Sequence, residues 1–309
     1  MPDTAGETPA LPREHFFPMP PFLSIVTPSW NQGEWLDGCI RSVLVQGAAD
    51  FEHIVFDNCS SDSTSDVLAR HPHLIARVEK DTGQSNALNK AFALARGEII
   101  CWLNADDQYL PGVFDIVRRE FAKPEVEVIF GDCEEDFCDG KPPRIRRARF
   151  ERREDMLIWW EKRTDLLQPA VFFRRSLLAE IGPLREDLHV VMDSELWWRM
   201  SERHKFHRVE AALAKQQRQP DSKTVKHMPR IYEEKARVFG PLLDAAQPNR
   251  RARNAIARRI GMGRRWLGLA QSAAKTNSEA ARDFLRRARL ENPLLVMSPR
   301  WWMARSVTQ

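Results

Sequence analysis

The chain has 309 residues, enough for about two domains or for one large α/β domain with an appendage. Hydrophobic residues make up 43% and charged residues 29%, proportions typical of soluble globular chains, which excludes extensive disorder and fibrous architectures. No apolar run approaches the roughly 18 residues that a membrane-spanning helix needs. Residues 1–20 are rich in proline and lack the apolar centre of a secretory signal, so we predict a flexible leader and a cytoplasmic protein.

Charge is unevenly distributed along the chain, although the net charge is only +4. Residues 250–309 contain fourteen Lys or Arg against three Asp or Glu, so the remainder is net acidic. Such a segment predicts either contact with anionic phosphate groups or a solvated helix face. Nucleic-acid binding is not predicted, because the segment lacks the motifs and aromatic platforms of those proteins. The five cysteines form no spaced framework, so disulfides are not expected.

Short apolar runs alternate with amphipathic segments from residue 22 onward. Strands are predicted at 22–26, 51–56, 74–78, 98–103 and 126–130, with helices beginning near 33 and 62 and covering 85–95 and 111–123. This alternation predicts βαβ units and a doubly wound, mostly parallel sheet with helices on both faces. Ligands bind beyond the carboxyl ends of the strands in such sheets, where this chain has polar segments.

The pattern becomes less regular after residue 135. A strand is predicted at 170–173, a helix at 194–201, and a helical region near the C-terminus with Ser278 as an N-cap. The predicted organisation is a leader (1–20), an α/β domain (21–235) and a basic helical extension (236–309). The α/β domain is divided into a first half (21–135) and a second half (136–235).

An acidic segment follows the strand predicted at 98–103. It contains Asn104, Asp106 and Asp107, which would lie at the ligand edge of the sheet. Mg²⁺ and Mn²⁺ combine one or two carboxylates with phosphate oxygens, so the segment indicates either a metal–diphosphate site or a strand-ending turn. The glycine-rich loops of Rossmann dehydrogenases and P-loop kinases are missing from the chain, which disfavours those classes.

Four segments occur in a characteristic order: SIVTPSWNQGEWLDGCIRSVLVQ, HIVFDNCSSDST, DTGQSNALNKAFALARGEIICWLNADD and VVMDSELWWR. Together they resemble family 2 glycosyltransferases over about residues 22–228. The resemblance implies a GT-A fold, a nucleotide-sugar donor with UDP favoured, Mg²⁺ or Mn²⁺ as cofactor, and inversion at the anomeric carbon. It also implies a carbohydrate or lipid-linked acceptor, in the assembly of bacterial surface polysaccharide, lipopolysaccharide or glycoconjugates.

The resemblance implies that residues 21–135 form the nucleotide-sugar half of the catalytic domain and residues 136–235 the acceptor half. It also assigns roles to individual residues. Asp57 would contact the base or the ribose, and Asp62 would support its loop. Lys223 would contact the donor phosphates from a loop after the last ordered element. The donor-binding set that it implies is Thr27, Pro28, Trp30, Asn31, Asp57, Asp62, Gly83, Gln84, Asn86, Asn104, Asp106 and Lys223.

Two acidic motifs contain the residues that the resemblance assigns as metal ligands and as catalytic base. Asp106 matches the second acid of the family's DxD motif and would ligate the cation, while Asn104 replaces the first acid and would offer an amide oxygen. On this basis Asn104→Asp should keep or strengthen cation binding. Asp193 resembles the family's catalytic base, with Glu195 as the second choice; inversion needs a single carboxylate to accept the acceptor's proton.

Two other functions are weighed against this one. A nucleotidyltransferase would need a glycine-rich basic loop after the first strand, and TPSWNQG is neither. A transferase-like protein that is weakly active or inactive, acting as a nucleotide-sugar-binding scaffold, would explain Asn104 but not the retained Asp57, Asp106 and Asp193. The basic extension is predicted either to rest on anionic membrane at the inner face of the plasma membrane, or to cover the catalytic domain or form a homodimer.

Overall fold

The computed structural model describes residues 20–138, 140–218, 227–274 and 277–306. Nearly all of the predicted leader, and Lys223, lie outside these residues. Among the residues described, no helix is long and apolar enough to cross a bilayer. The five cysteines are free thiols, as expected.

One nine-stranded mixed sheet forms the centre of the molecule, with strand order β3-β2-β1-β4-β8-β6-β9-β5 and β7 paired to β6. This confirms the predicted α/β class. Its strands are β1 (Leu23–Ser29), β2 (Phe51–Asp57), β3 (Ile75–Val78), β4 (Ile99–Trp102), β5 (Asp107–Tyr109), β6 (Val128–Asp136), β7 (Arg144–Arg146), β8 (Val171–Arg174) and β9 (Phe206–Gln217).

The first four strands pair in parallel, as the βαβ pattern predicts: β1 pairs with β2 and with β4, and β2 pairs with β3. Strand β1 lies between β2 and β4, and all seven of its residues are buried. Burial on both faces explains why it reads as a continuous apolar run. The helices that return the chain between these strands are α1 (Gly33–Leu44), α2 (Thr64–Ala69) and α3 (Gln84–Leu94).

The second half of the sheet is mixed rather than parallel. Strand β8 is antiparallel to both β4 and β6, and β5 is antiparallel to β9. Strand β5 was not predicted, because its three residues are too few to show a periodicity. Helices α4 (Val113–Phe121), α5 (Ser176–Ile181) and α6 (Met192–Met200) accompany this half, and two 3₁₀ turns, Trp159–Glu161 and Gln168–Ala170, lie between β7 and β8.

Four further helices form the C-terminal unit: α7 (Met228–Ala246), α8 (Arg251–Ala273), α9 (Ser278–Glu291) and α10 (Pro299–Ser306). The predicted domain limit at 235/236 falls within α7, and the limit at 135/136 falls within β6. The N-cap of α9 is Asn277, whose Oδ1 accepts from Ala280 N at 2.9 Å, and not Ser278 as predicted.

A chain of aromatic rings joins the C-terminal unit to the sheet domain. Tyr232 of α7 stacks on Trp159 at 5.8 Å and meets Trp266 of α8 edge-on at 5.5 Å. Trp266 in turn stacks on Phe284 of α9 at 5.9 Å. A side chain at Gly261 would overlap the indole of Trp160, so α8 approaches this segment with its backbone. The helices therefore share the core of the sheet domain.

This packing predicts that Trp266→Ala lowers the free energy of unfolding by about 3 kcal/mol or more, because it empties a buried ring site between three helices. The measurement is equilibrium denaturation in urea. Trp302→Ala is the matched control in the same unit, since that ring is 54% exposed; it should change stability by about 0.5 kcal/mol or less. Equal losses in the two variants would contradict the packing role of Trp266.

Candidate active site

The loops after β1 and β2 are joined by reciprocal hydrogen bonds at the carboxyl edge of the sheet. Asn31, in a left-handed conformation at φ 51°, donates its N–H to Ser60 Oγ at 2.7 Å. Its Oδ1 accepts from Ser61 N at 2.8 Å. Asp57 is buried and accepts from Ser60 N at 2.9 Å and from the hydroxyl of the same serine. Asp57 and Asn31, both predicted site residues, therefore lie on one rigid double loop.

The other residues predicted in this region differ in exposure. Asp62 accepts from Gly33 N at 2.9 Å and from Thr64 N at 3.0 Å. Burial by itself would raise the pKa of Asp62, but the hydrogen bonds outweigh it and lower the pKa. The same bonds tie the loop of Asp62 to the start of α1. Trp30 is 62% exposed. Thr27 is buried with its hydroxyl on His53 Nε2 at 2.9 Å, and Pro28 is buried as well, so Thr27 stabilises the loop from beneath.

The segment before α3 contributes Gly83, Gln84 and a carboxylate that was not predicted. Gly83 has φ 139°, a conformation that glycine tolerates, and its N–H donates to Asp81 Oδ1 at 2.8 Å. Burial raises the pKa of Asp81, and the charge of Asp57 adds to that effect. Asp81 N donates to Asn58 Oδ1 at 3.0 Å, which ties Asp81 to the residue that follows Asp57. Asn86 instead donates to Glu186 at 3.1 Å.

Asn104 is the centre of a hydrogen-bond network. Its Oδ1 accepts from Gln84 Nε2 and from Trp102 Nε1, each at 2.9 Å. Its Nδ2 donates to Gln168 Oε1 at 2.8 Å and to Asp107 Oδ2 at 3.3 Å. An indole N–H can only donate, so Trp102 fixes which end of the amide is oxygen. Both lone pairs of Oδ1 are engaged, and a cation would bind there only if these bonds were given up.

Asp106 and Asp107 are adjacent carboxylates that follow β4, and Asp107 is the first residue of β5. Burial raises the pKa of Asp106, and the charge of Arg218 opposes the shift. Burial raises the pKa of Asp107 well above its usual value, with the charge of Asp106 adding to it. Two desolvated like charges are costly to hold together unless a cation compensates them. No group of three or more His, Cys, Asp or Glu that could hold a metal occurs in the described chain.

Asp193 lies in the first turn of α6, where Ser194 N donates to its Oδ1 at 2.6 Å. The amino end of a helix stabilises a negative charge at this position. Glu195, the second choice for the base, is buried and paired with Arg199 at 2.9 Å. Arg199 also donates to backbone carbonyls at 181–183. Glu195 therefore has a structural partner, and Asp193 remains the candidate base.

Helix α7 contacts the Asp193 region through two residues that the sequence did not predict. Glu234 is buried and accepts from His189 N at 3.1 Å and Val190 N at 3.0 Å, which holds the loop that leads into α6. Burial opposes the shift, but these bonds lower the pKa of Glu234. Burial lowers the pKa of Lys235, and the charge of Asp193 opposes this, so the two charges attract each other.

Successive ion pairs join the end of β9, β6, β7 and the segment before β8. Arg218, at the end of β9, pairs with Glu135 at 2.7 Å, and Glu135 pairs with Arg146 at 3.0 Å. Arg146 pairs with Asp165 at 2.6 Å, and the charge of Asp165 acts on Lys235. The charge of Arg218 also acts on Asp106, and the charge of Asp193 acts on Lys235, although more than eighty residues separate the two acids in sequence.

Sequence reasoning missed the groups that support the site: Asp81, Gln168, Arg218, Glu234 and Lys235. Asp81 lay within a polar segment already noted at the ligand edge, so position after a strand could have identified it. The other four gave no local signal, because each depends on a contact between distant segments.

Known proteins match the chain across the same region. The family model for glycosyl transferase family 2 matches residues 24–182. An uncharacterised protein of Mycobacterium tuberculosis is 30% identical over 200 residues, covering 59% of this chain and 63% of that protein. The O-antigen biosynthesis protein RfbC of Myxococcus xanthus is 30% identical over 195 residues, covering 59% of this chain and 14% of RfbC. The chain thus spans less than two thirds of either relative.

Solved structures share the fold at low sequence identity. TarS 1–349 of S. aureus, in complex with UDP-GlcNAc, has a TM-score of 0.55 at 16% identity, over 93% of this chain and 88% of that one. The mannosyltransferase PcManGT of Pyrobaculum calidifontis, with GDP-Man and Mn²⁺, has a TM-score of 0.53 at 18% identity, over 94% and 86%. The family match covers half of the chain and the fold agrees with these glycosyltransferases, so the chain belongs to glycosyl transferase family 2.

Proposed function

We propose that the protein transfers a sugar from a nucleotide-sugar donor to a hydroxyl acceptor, with inversion at the anomeric carbon. The observation that carries this proposal is the pairing of two acidic centres. The desolvated carboxylates of Asp106 and Asp107 follow β4, and Asp193 lies in the first turn of α6. The positive charge of Arg218 acts on Asp106, and Lys235 and Asp193 attract each other. Asp106 and Asp107 suit the charge of a diphosphate–cation pair, and Asp193 suits proton transfer.

The residues at the end of β4 fit a divalent cation. The pKa values of these two adjacent carboxylates are raised by burial, and the charge of Asp106 raises that of Asp107 further. We assign Asp106 as the ligand from the protein, with donor phosphate oxygens completing the shell, as Mg²⁺ and Mn²⁺ favour. A cation held there would stabilise the negative charge of the departing diphosphate. The Mn²⁺ of PcManGT supports the assignment by analogy of fold.

Asp193 would accept the proton of the acceptor hydroxyl as that oxygen attacks the anomeric carbon. Its position in the first turn of α6 and its attraction to Lys235 both favour the ionised carboxylate that a base requires. Glu234 fixes the preceding loop from α7, which limits the positions that Asp193 can take. An inverting transfer needs one such base and no covalent intermediate.

The double loop after β1 and β2 would hold the nucleoside. The buried carboxylate of Asp57 and the neighbouring Asp81 are acceptors suited to a base N–H or to ribose hydroxyls. UDP remains the favoured nucleotide, and TarS, which binds UDP-GlcNAc, supports a donor of this class. A cytoplasmic location is proposed as well, and the free cysteines agree with a reducing compartment. The similarity to RfbC, an O-antigen biosynthesis protein, supports a role in surface polysaccharide assembly. A panel of nucleotide sugars, screened for Mn²⁺-dependent thermal stabilisation, tests this assignment.

Asp106→Ala should abolish Mn²⁺-dependent stabilisation by the donor, because it removes the protein's main charge on the cation. The shift in melting temperature with UDP-sugar, with and without Mn²⁺, is the readout. Asp115→Ala is the control, since this residue is exposed in the first turn of α4. An undiminished shift for Asp106→Ala would remove the metal assignment.

Asp193→Asn should leave donor binding intact and lower turnover by roughly a hundred- to ten-thousand-fold, the range that general-base assistance contributes. Donor hydrolysis, followed as release of nucleoside diphosphate, supplies the rate without a known acceptor. Glu195→Gln should lose stability through its pair with Arg199 while keeping most of its rate per folded molecule. A wild type that binds donor but releases no diphosphate would favour the inactive scaffold instead.

Asn104 is proposed to organise the site rather than to ligate the metal. An aspartate in its place would turn a carboxylate oxygen toward Gln168 Oε1 and Asp107, where the amide now donates. We expect Asn104→Asp to lower the free energy of unfolding without cation by about 1–3 kcal/mol, since two donated bonds become repulsive contacts. The sequence instead predicted a cation ligand at position 104, for which the same substitution would keep or strengthen cation binding.

The measurement for Asn104→Asp is urea denaturation with and without Mn²⁺. Asn277→Asp serves as its control, because aspartate keeps the oxygen that caps α9. If Mn²⁺ stabilises Asn104→Asp much more than the wild type, position 104 faces the cation and the ligand role is correct.

A further inference from the structure

The C-terminal helices expose a series of large apolar side chains. Leu290, Leu294 and Met297 are 64%, 72% and 78% exposed. Trp302 and Met303 of α10 follow them with more than half of their surface accessible. Half of the exposed large apolar residues in the described chain lie in α8–α10 and the 3₁₀ turn between α9 and α10. Isolated exposed leucines are ordinary, but a series confined to one unit marks a contact surface.

This exposure belongs to a packed segment rather than to a loose one. Leu295, Trp301 and Ala304 alternate with the exposed residues and are buried. A side chain at Gly263 would contact Asn292 and Leu295, so the turn lies tightly against α8. The segment therefore has two apolar sides, one packed in the core and the other exposed to solvent.

The apolar series continues onto α8. Arg259 of α8 donates to the carbonyl of Leu290 at 2.6 Å, which places the two helices side by side there. Ile256 and Ile260, at 61% and 37% exposure, lie one turn before Arg259 and immediately after it. We call these seven residues the apolar surface: Ile256, Ile260, Leu290, Leu294, Met297, Trp302 and Met303.

Arginines surround the apolar surface. Residues 250–306 contain thirteen arginines among the described positions and only three acids. Arg289 and Arg300 are exposed beside Leu290 and Trp302, and the Arg305 guanidinium lies over the Trp302 ring at 5.3 Å. Apolar side chains flanked by arginine and tryptophan are the composition that binds the headgroup region of an anionic bilayer.

We propose that the apolar surface rests on an anionic lipid bilayer, with its leucines, methionines and tryptophan in the headgroup–acyl boundary and the arginines on lipid phosphates. A second copy of the chain fits less well, because a two-fold contact would bring the same arginines of both copies together. Protein–protein interfaces also exclude charge from their centres. The inference does not depend on the proposed transfer reaction.

Co-sedimentation of the full chain with vesicles tests this proposal. The vesicles are phosphatidylcholine alone or mixed with phosphatidylglycerol, at low and high salt. We expect binding to the mixed vesicles at low salt, weakened by salt because exposed charges are screened. Leu294→Ser/Met297→Ser/Met303→Ser should reduce binding about tenfold or more through lost apolar burial. Arg289→Gln/Arg300→Gln should reduce it about fivefold per arginine and flatten its salt dependence.

The control for the apolar variant is Val45→Ser/Leu94→Ser, which changes exposed apolar residues directly after α1 and at the end of α3 and should bind as the wild type does. Unchanged thermal melting of each variant confirms folding, and unchanged donor binding separates this test from that of the proposed function. Equal sedimentation of wild type and apolar variant overturns the proposal. So does concentration-dependent dimerisation without vesicles that the apolar variant abolishes, since the surface would then join two copies.

Discussion

The parallel alignment of β2, β1 and β4 is the constraint on which the rest of the site depends. Ser29 is in register with Asp57, and Val26 with Trp102, so the loops that follow all three strands leave the same edge. Hydrogen bonds between the first two loops, and Gln84 to Asn104, then fix the polar groups relative to one another. A buried sheet supplies rigidity to these loops that isolated segments would not have.

Burial makes negative charge costly at this edge of the sheet. Asp106, Asp107 and Asp81 all have pKa values raised by desolvation, while the amide of Asn104 supplies donors without adding a fourth charge. Arg218 provides partial compensation from β9, and the ion pairs beyond it extend the charged wall toward Asp193. The site is therefore arranged for negative groups accompanied by positive charge, which is the chemistry of a diphosphate.

The C-terminal unit is part of this arrangement rather than an appendage. Helix α7 holds the loop before Asp193 through Glu234 and presents Lys235 to it. The same helix joins α8 through the rings of Tyr232 and Trp266. Packed rings and hydrogen bonds thus connect the outer helices to the loop of the candidate base.

The sequence by itself determined the α/β class and the first four strands with their helices, and it predicted Asp57 and Asp106 at the ligand edge of the sheet. These are local properties, because apolar periodicity reflects burial and a polar residue after a buried strand must lie at the sheet edge. It could not assign the antiparallel pairing of β8, β6 and β5, since strand order depends on contacts between distant segments. Nor could it distinguish Asn104 as a ligand from Asn104 as a network centre. That distinction depends on Trp102, Gln84 and Gln168, which only the folded chain brings together to occupy the amide.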